Sequence, residues 1–174
     1  SLDLYLPENE LKKNYLNNFK KCISFKCNEI FNDTSQEELY EKLGPEVIER
    51  ALNGYNNTIL CYGQTSSGKT YTMSGGKSWK ERGIIPRLIV DLFNRVEVNS
   101  DYEIYISYLE IYNENGYDLL DSKLKNNTDI EKWSKIVVYE DNNNNIIVKN
   151  MKSIKVTSDK DALDLFMSGN YYRQ

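Results

Sequence analysis

Gly63-Gln64-Thr65-Ser66-Ser67-Gly68-Lys69-Thr70 decides how the rest of the chain is read, because it matches G-x-x-x-x-G-K-[ST] at every specified position. A loop this rich in small residues can turn its backbone N–H groups inward as an anion-binding nest, with glycines where a Cβ would block close approach. Lys69 adds a point charge suited to β- and γ-phosphates, and the Thr70 hydroxyl is placed to ligate Mg²⁺. The helix expected to start here adds the positive end of its dipole. A chance match in 174 residues arises on the order of once in a hundred sequences. Directly before the loop, Thr58-Ile59-Leu60-Cys61-Tyr62 is an apolar, β-rich run that predicts a buried parallel strand. The competing reading is a Gly/Ser-rich surface turn.

Outward from the loop, the composition sets bounds. A length of 174 residues suits one domain with a real core. Apolar residues at 40%, charged residues at 28% and a net charge of −4 describe a globular chain. It has neither the basic excess of a nucleic-acid binder nor an acidic tail. Cys22, Cys27 and Cys61 show no C-x-x-C spacing, and the sequence holds no histidine, so the usual zinc sets are excluded. They are expected to be reduced, mostly buried thiols of a cytoplasmic protein. No apolar run approaches the ~20 residues of a membrane span, and Ser1-Leu2-Asp3 does not open a signal peptide.

Upstream of the loop, Leu4 and Leu6 alternate as in a short edge strand, and Cys22 to Cys27 alternates as a half-buried strand. Ser35 with Glu38 forms a capping box that opens a helix. Leu39, Leu43, Val47, Ala51 and Tyr55 place an apolar stripe along it. Pro45 is expected to kink or split this helix, and Gly54 to stop it. Downstream, Gly75-Gly76 interrupt the turns begun at Thr70. Gly83 to Arg87 begins a second helix with Leu88, Ile89, Leu92 and Phe93 on its apolar face. Tyr102 to Tyr112 is the longest strand signal, and Asp121 to Ser134 reads as a polar loop. Ile136-Val137-Val138-Tyr139 and Ile146-Ile147-Val148 flank an Asn-rich turn as a hairpin. Ser158 with Asp161 caps a last helix through Ala162, Leu163, Leu165 and Phe166.

Four stretches carry a family resemblance. They are Gly54-Tyr55-Asn56-Asn57-Thr58-Ile59, the run YGQTSSGKTYTM from Tyr62 to Met73, the GIIPR segment at Gly83 to Arg87, and Tyr108-Leu109-Glu110-Ile111-Tyr112-Asn113-Glu114 followed by Asp118-Leu119-Leu120. In this order and spacing the chain resembles the first half of a kinesin motor head. The wording from Ile106 to Asp121 and the hairpin exit Val148-Lys149-Asn150 are most similar to the kinesin-9 group of ciliary and flagellar motors.

The resemblance implies an α/β, P-loop NTPase-like fold, with a central mixed β-sheet and helices on both faces. It implies ATP and Mg²⁺ held by Gly63, Gln64, Thr65, Ser66, Ser67, Gly68, Lys69 and Thr70, with Lys69 and Thr70 serving catalysis and Thr70 the metal. Tyr71 matches the position where kinesins set a ring against adenine; its alternative role is packing on the following loop. Arg173 matches a polar position just ahead of the first switch, or is a solvated charge at a frayed end. The implied function is microtubule-dependent ATPase work in the cytoplasmic cytoskeleton, including cilium or flagellum. The partners are then microtubules, with no nucleic acid or membrane, and dimerisation falls to segments outside this sequence. A nucleotide-holding static linker of microtubules or axonemes is the alternative.

Departures accompany the matches. Residues 1–174 read as the amino-terminal half of one motor domain, cut before the N-x-x-S-S-R and D-x-x-G switch motifs, so this fragment alone is expected to be inactive. The hairpin tip Glu140-Asp141-Asn142-Asn143-Asn144-Asn145 lacks the positive charge suited to acidic tubulin. Lys149, Lys152 and Lys155 alternate beyond it, and either face a partner together or form a solvated face.

Overall fold

The computed structural model describes residues 2–5, 22–96, 102–121 and 129–173. Helices and strands interleave along the chain in the α/β manner expected. The first pair of strands, β1 (Leu2–Tyr5) and β2 (Cys22–Phe25), is antiparallel. The expected strand residue Leu6 lies outside the described residues. Helix α1 (Gln36–Leu52) starts at the capping box: the Ser35 hydroxyl accepts from the Glu38 amide, and the Glu38 carboxylate accepts from the Ser35 amide. These bonds hold the Glu38 carboxyl below the usual carboxylate range. The helix runs past Pro45 without splitting. The residue ahead of the proline is Gly44, which has no Cβ to meet the ring and also admits the Tyr40 side chain against the backbone. Gly54, at φ +85°, ends the helix in the left-handed conformation that glycine takes most readily.

The buried face of α1 is offset from the expected stripe. Leu43 and Ala51 are exposed, whereas Gln36, Gly44 and Ile48 are buried. The reason is the partner helix, α3 (Ile84–Val96). Tyr40 donates its hydroxyl to Asp91 at 3.0 Å, and Asp91 is also bound by Arg95 on the next turn of α3. Burial and the Asp91 carboxylate push the Tyr40 phenol upward, so it stays a donor.

The Tyr102-to-Tyr112 run is divided. β3 (Ile104–Ile106) pairs with β8 (Ile154–Val156), while β4 (Leu109–Tyr112), β5 (Asn115–Asp118), β6 (Lys135–Glu140) and β7 (Ile146–Lys149) form an antiparallel meander. Tyr108 sits at the break. Its ring stacks on Phe166 of α4 (Asp159–Tyr172), and its hydroxyl donates to Asn170 at 2.8 Å. The expected caps of α4 and of the hairpin are present: Asp161 donates its amide to the Ser158 hydroxyl, and Asn144 takes φ +62°.

The region expected to be a polar loop contributes core residues instead. Ile130 and Trp133 are buried with Tyr117 and Leu119, and Tyr108 and Tyr172 pack around them. Trp133 meets Tyr117 and Tyr172 edge-on. A second cluster joins Phe93, Val156 and Ala162 to Ile89, Ile104 and Leu165, tying α3 to β3, β8 and α4. The three cysteines are free, and none is buried, contrary to the expectation of mostly buried thiols. Among the described residues no helix is long and apolar enough to cross a membrane.

Candidate nucleotide site

Thr58–Tyr62 does not form the strand expected ahead of the loop. It has no regular secondary structure, and Leu60 and Tyr62 are 83% and 95% exposed. A strand exists only through its ladder partners. None of the described strands pairs with this run, and every ladder among the described residues is antiparallel.

The loop itself is shaped locally. The Ser67 amide donates to the Gln64 carbonyl at 3.2 Å, and Ser66 takes φ +66° to make that turn. Gly68, at φ +91°, is the N-cap of α2 (Lys69–Met73), a conformation that a side chain would resist. Gly63 leaves room for Ser67: a Cβ there would come within 2.5 Å of the Ser67 hydroxyl. The Lys69 ammonium folds over the loop, donating to the carbonyls of Gly63 at 2.8 Å and Gln64 at 2.6 Å. Gln64, Thr65, Ser66, Ser67 and Thr70 are exposed, so these polar side chains are accessible to a ligand.

The helix that follows is shorter than expected. With five residues, α2 carries only a small macrodipole, and most of any anion attraction falls to Lys69 and the loop amides. Thr70 presents its hydroxyl at the surface, where Arg173 at the end of α4 donates to it at 3.1 Å. Arg173 is therefore brought to the loop. Tyr71 is 47% exposed, which leaves part of its ring available for contact.

Three residues outside the motif shape its surroundings. Gln36 of α1 donates its side-chain amide to the Tyr71 carbonyl at 2.5 Å. Arg87, buried at the start of α3, donates to the Arg82 carbonyl at 3.0 Å and the Lys80 carbonyl at 3.2 Å. It thereby pins the turn Trp79–Glu81 that follows α2. Arg82 lies 4.4 Å over the Trp79 ring, and burial followed by the nearby Arg87 charge lowers its pKa. Arg87 ends the GIIPR segment, but nothing local in the sequence marks its acceptors.

The three lysines beyond the hairpin do not form a common array. Lys149 lies over the Tyr139 ring, Lys152 pairs with Asp121, and Lys155 pairs with Glu103. No cluster of three metal-ligating His, Cys, Asp or Glu side chains occurs among the described residues. A lone hydroxyl such as that of Thr70 fits Mg²⁺, which is commonly held by few protein groups together with substrate phosphates.

A glycine-rich loop closed by a lysine, opening a helix in an α/β chain, defines a protein of the P-loop class. The comparisons specify which one. The family model described as Kinesin motor domain matches residues 5–174, and the chain belongs to that family. It is 38% identical to the kinesin-like protein KLP1 of Chlamydomonas reinhardtii and 34% identical to the human kinesin-like protein KIF9. Each match covers 99% of this chain and 22% of the relative. Both relatives are of the kinesin-9 group. It is also 40% identical to the kinesin heavy chain of Drosophila melanogaster, over 81% of this chain and 14% of that protein. The chain thus spans about a fifth of the length of the first two relatives.

Proposed function

We propose that this chain supplies the ATP-holding part of a microtubule-dependent motor ATPase. The observation that carries this reading is the placement of Lys69, its ammonium folded back onto two carbonyls of the loop and followed in the chain by the exposed Thr70. Phosphate oxygens are stronger acceptors than carbonyls for an ammonium, so Lys69 exchanges those two bonds for β- and γ-phosphate contacts. With Mg²⁺ bound, Thr70 would give its hydroxyl to the metal and release Arg173, while Gly63 to Gly68 would turn amides toward the phosphates. The Tyr71 ring would lie against adenine. When bound, the nucleotide supplies the phosphoryl group whose transfer to water drives movement. Membership of the kinesin motor domain family supports microtubules as the track. Similarity to two kinesin-9 proteins supports work in a cilium or flagellum.

The test is Lys69→Ala in the full-length protein, titrated with a fluorescent ATP analogue. Most of the affinity should disappear while the circular dichroism spectrum stays unchanged; wild-type affinity would remove Lys69 from the site. Steady-state phosphate release by the wild type should rise on addition of microtubules. Release unaffected by microtubules would overturn the motor reading.

A further inference from the structure

We infer that Gln36 is a positioning residue for this nucleotide site, acting through the Tyr71 carbonyl; the inference rests on the reading of Gly63 to Tyr71 as nucleotide-binding. α2 has five residues, too few to hold a helical shape unaided, so its orientation comes from tertiary contacts. Its last carbonyls lack intrahelical donors. The amides of Ser74 and Gly75 both turn to the Thr70 carbonyl, at 2.7 and 3.4 Å, and the Tyr71 carbonyl takes its bond from the Gln36 amide at 2.5 Å.

Gln36 is suited to this by where it stands. It is the first residue of α1, directly after the capping serine, and is only 8% exposed. Its backbone is fixed twice over, by the Ser35 and Glu38 box and by the Tyr40 link from α1 to Asp91 of α3. A buried side chain on so constrained a backbone passes that constraint to its acceptor. The residue type is informative as well. Acidic residues follow at Glu37 and Glu38, as the positive end of a helix favours, and an acid at position 36 would serve α1 equally. An acid there would set a carboxylate against a carbonyl oxygen. The amide serves Tyr71, and through it the turn that carries Lys69 and Thr70.

The experiment compares Gln36→Glu and Gln36→Met with wild type in the full-length protein, reading the Kd of a fluorescent ATP analogue from pH 8 to pH 5. Both variants should bind about tenfold more weakly at pH 8, the cost of leaving a buried acceptor without its donor. The Glu variant should recover toward wild type as the pH falls. Desolvation, the facing carbonyl and the neighbouring Glu37 and Glu38 carboxylates favour the neutral carboxyl against the pull of the α1 N-terminus, and a protonated carboxyl can donate to Tyr71 again. The Met variant should not recover, since it has no proton to regain. A role confined to packing would give no such difference, because neither side chain changes shape with pH. Wild-type affinity in both variants, or a Glu deficit that stays constant across the range, would overturn the assignment. Failure of the wild type to bind the analogue would instead overturn the nucleotide reading on which it rests.

Discussion

The loop region from Gly63 to Arg82 and the aromatic region around Trp133 are built on opposite principles. In the first, the shape is held by hydrogen bonds: Lys69 to two carbonyls, Gln36 to Tyr71, and Arg87 of α3 to two more carbonyls, with large side chains such as Tyr71 and Trp79 about half exposed. In the second, Tyr117, Leu119, Ile130 and Trp133 are buried against one another, with Tyr117 2% exposed. Burial of apolar and aromatic surface is worth more than individual solvated hydrogen bonds. The aromatic region therefore sets stability, and the loop region keeps polar groups that can change partners when a ligand arrives.

The strongest way to break this contrast is Trp133→Ala. The side chain fills the space between Tyr117 and Tyr172, and removing it should cost about 3–5 kcal/mol of stability, measured by urea denaturation of the full-length protein. Nucleotide affinity of the folded fraction should stay at the wild-type value. A simultaneous loss of affinity would show that the two regions are coupled. The route is visible: Tyr172 packs on Trp133, and the next residue, Arg173, donates to Thr70.

A smaller effect is expected on the other side of the contrast. Tyr71→Ala should weaken adenine nucleotides by about 1–3 kcal/mol, the range for base–aromatic stacking, with little change in stability because the ring is half in solvent. Inorganic tripolyphosphate isolates the base contribution. Equal losses for ATP and tripolyphosphate would mean that Tyr71 shapes the loop and does not touch adenine.

The same contrast explains what could be read from the sequence. The phosphate loop and the caps at Ser35, Gly54 and Ser158 are local, with partners within a few residues, so spacing alone discloses them. The contacts of Gln36 with Tyr71 and of Tyr108 with Asn170 join residues far apart in sequence, and no local pattern encodes them. Trp133 was hidden for a related reason: it is an isolated large side chain in a polar stretch, and its partners Tyr117 and Tyr172 lie on other elements. The α1 stripe is misplaced by spacing alone because apolar spacing counts leucines, whereas Tyr40, packed over Gly44 of its own helix, makes the hydrogen bond to α3. For Thr58–Tyr62, composition records a preference for burial in a sheet, but pairing is made by neighbours that composition does not name.

Acid should separate the two regions by the smallest margin, and the protein's two tryptophans report one on each. Trp79 opens the turn that the Ser78 and Glu81 box closes, and the Ser78 hydroxyl and amide hold the Glu81 carboxyl below its ordinary 4.5. A carboxyl whose pKa is lower in the folded state contributes stability that is fully present above its unfolded pKa and lost as the pH falls through the folded one. The Glu38 box at the start of α1 has the same sign. Below pH 4.5, then, the turn that Arg87 holds should loosen while Trp133 stays packed. Trp79 is 60% exposed, so Trp79→Phe is a mild change, and the difference in emission between wild type and this variant isolates its signal. That difference should shift at a higher pH than the emission remaining in the variant, which comes from Trp133. Coincident acid transitions at both tryptophans would show a single cooperative unit, and the division into a polar, adjustable loop region and an aromatic core would fail.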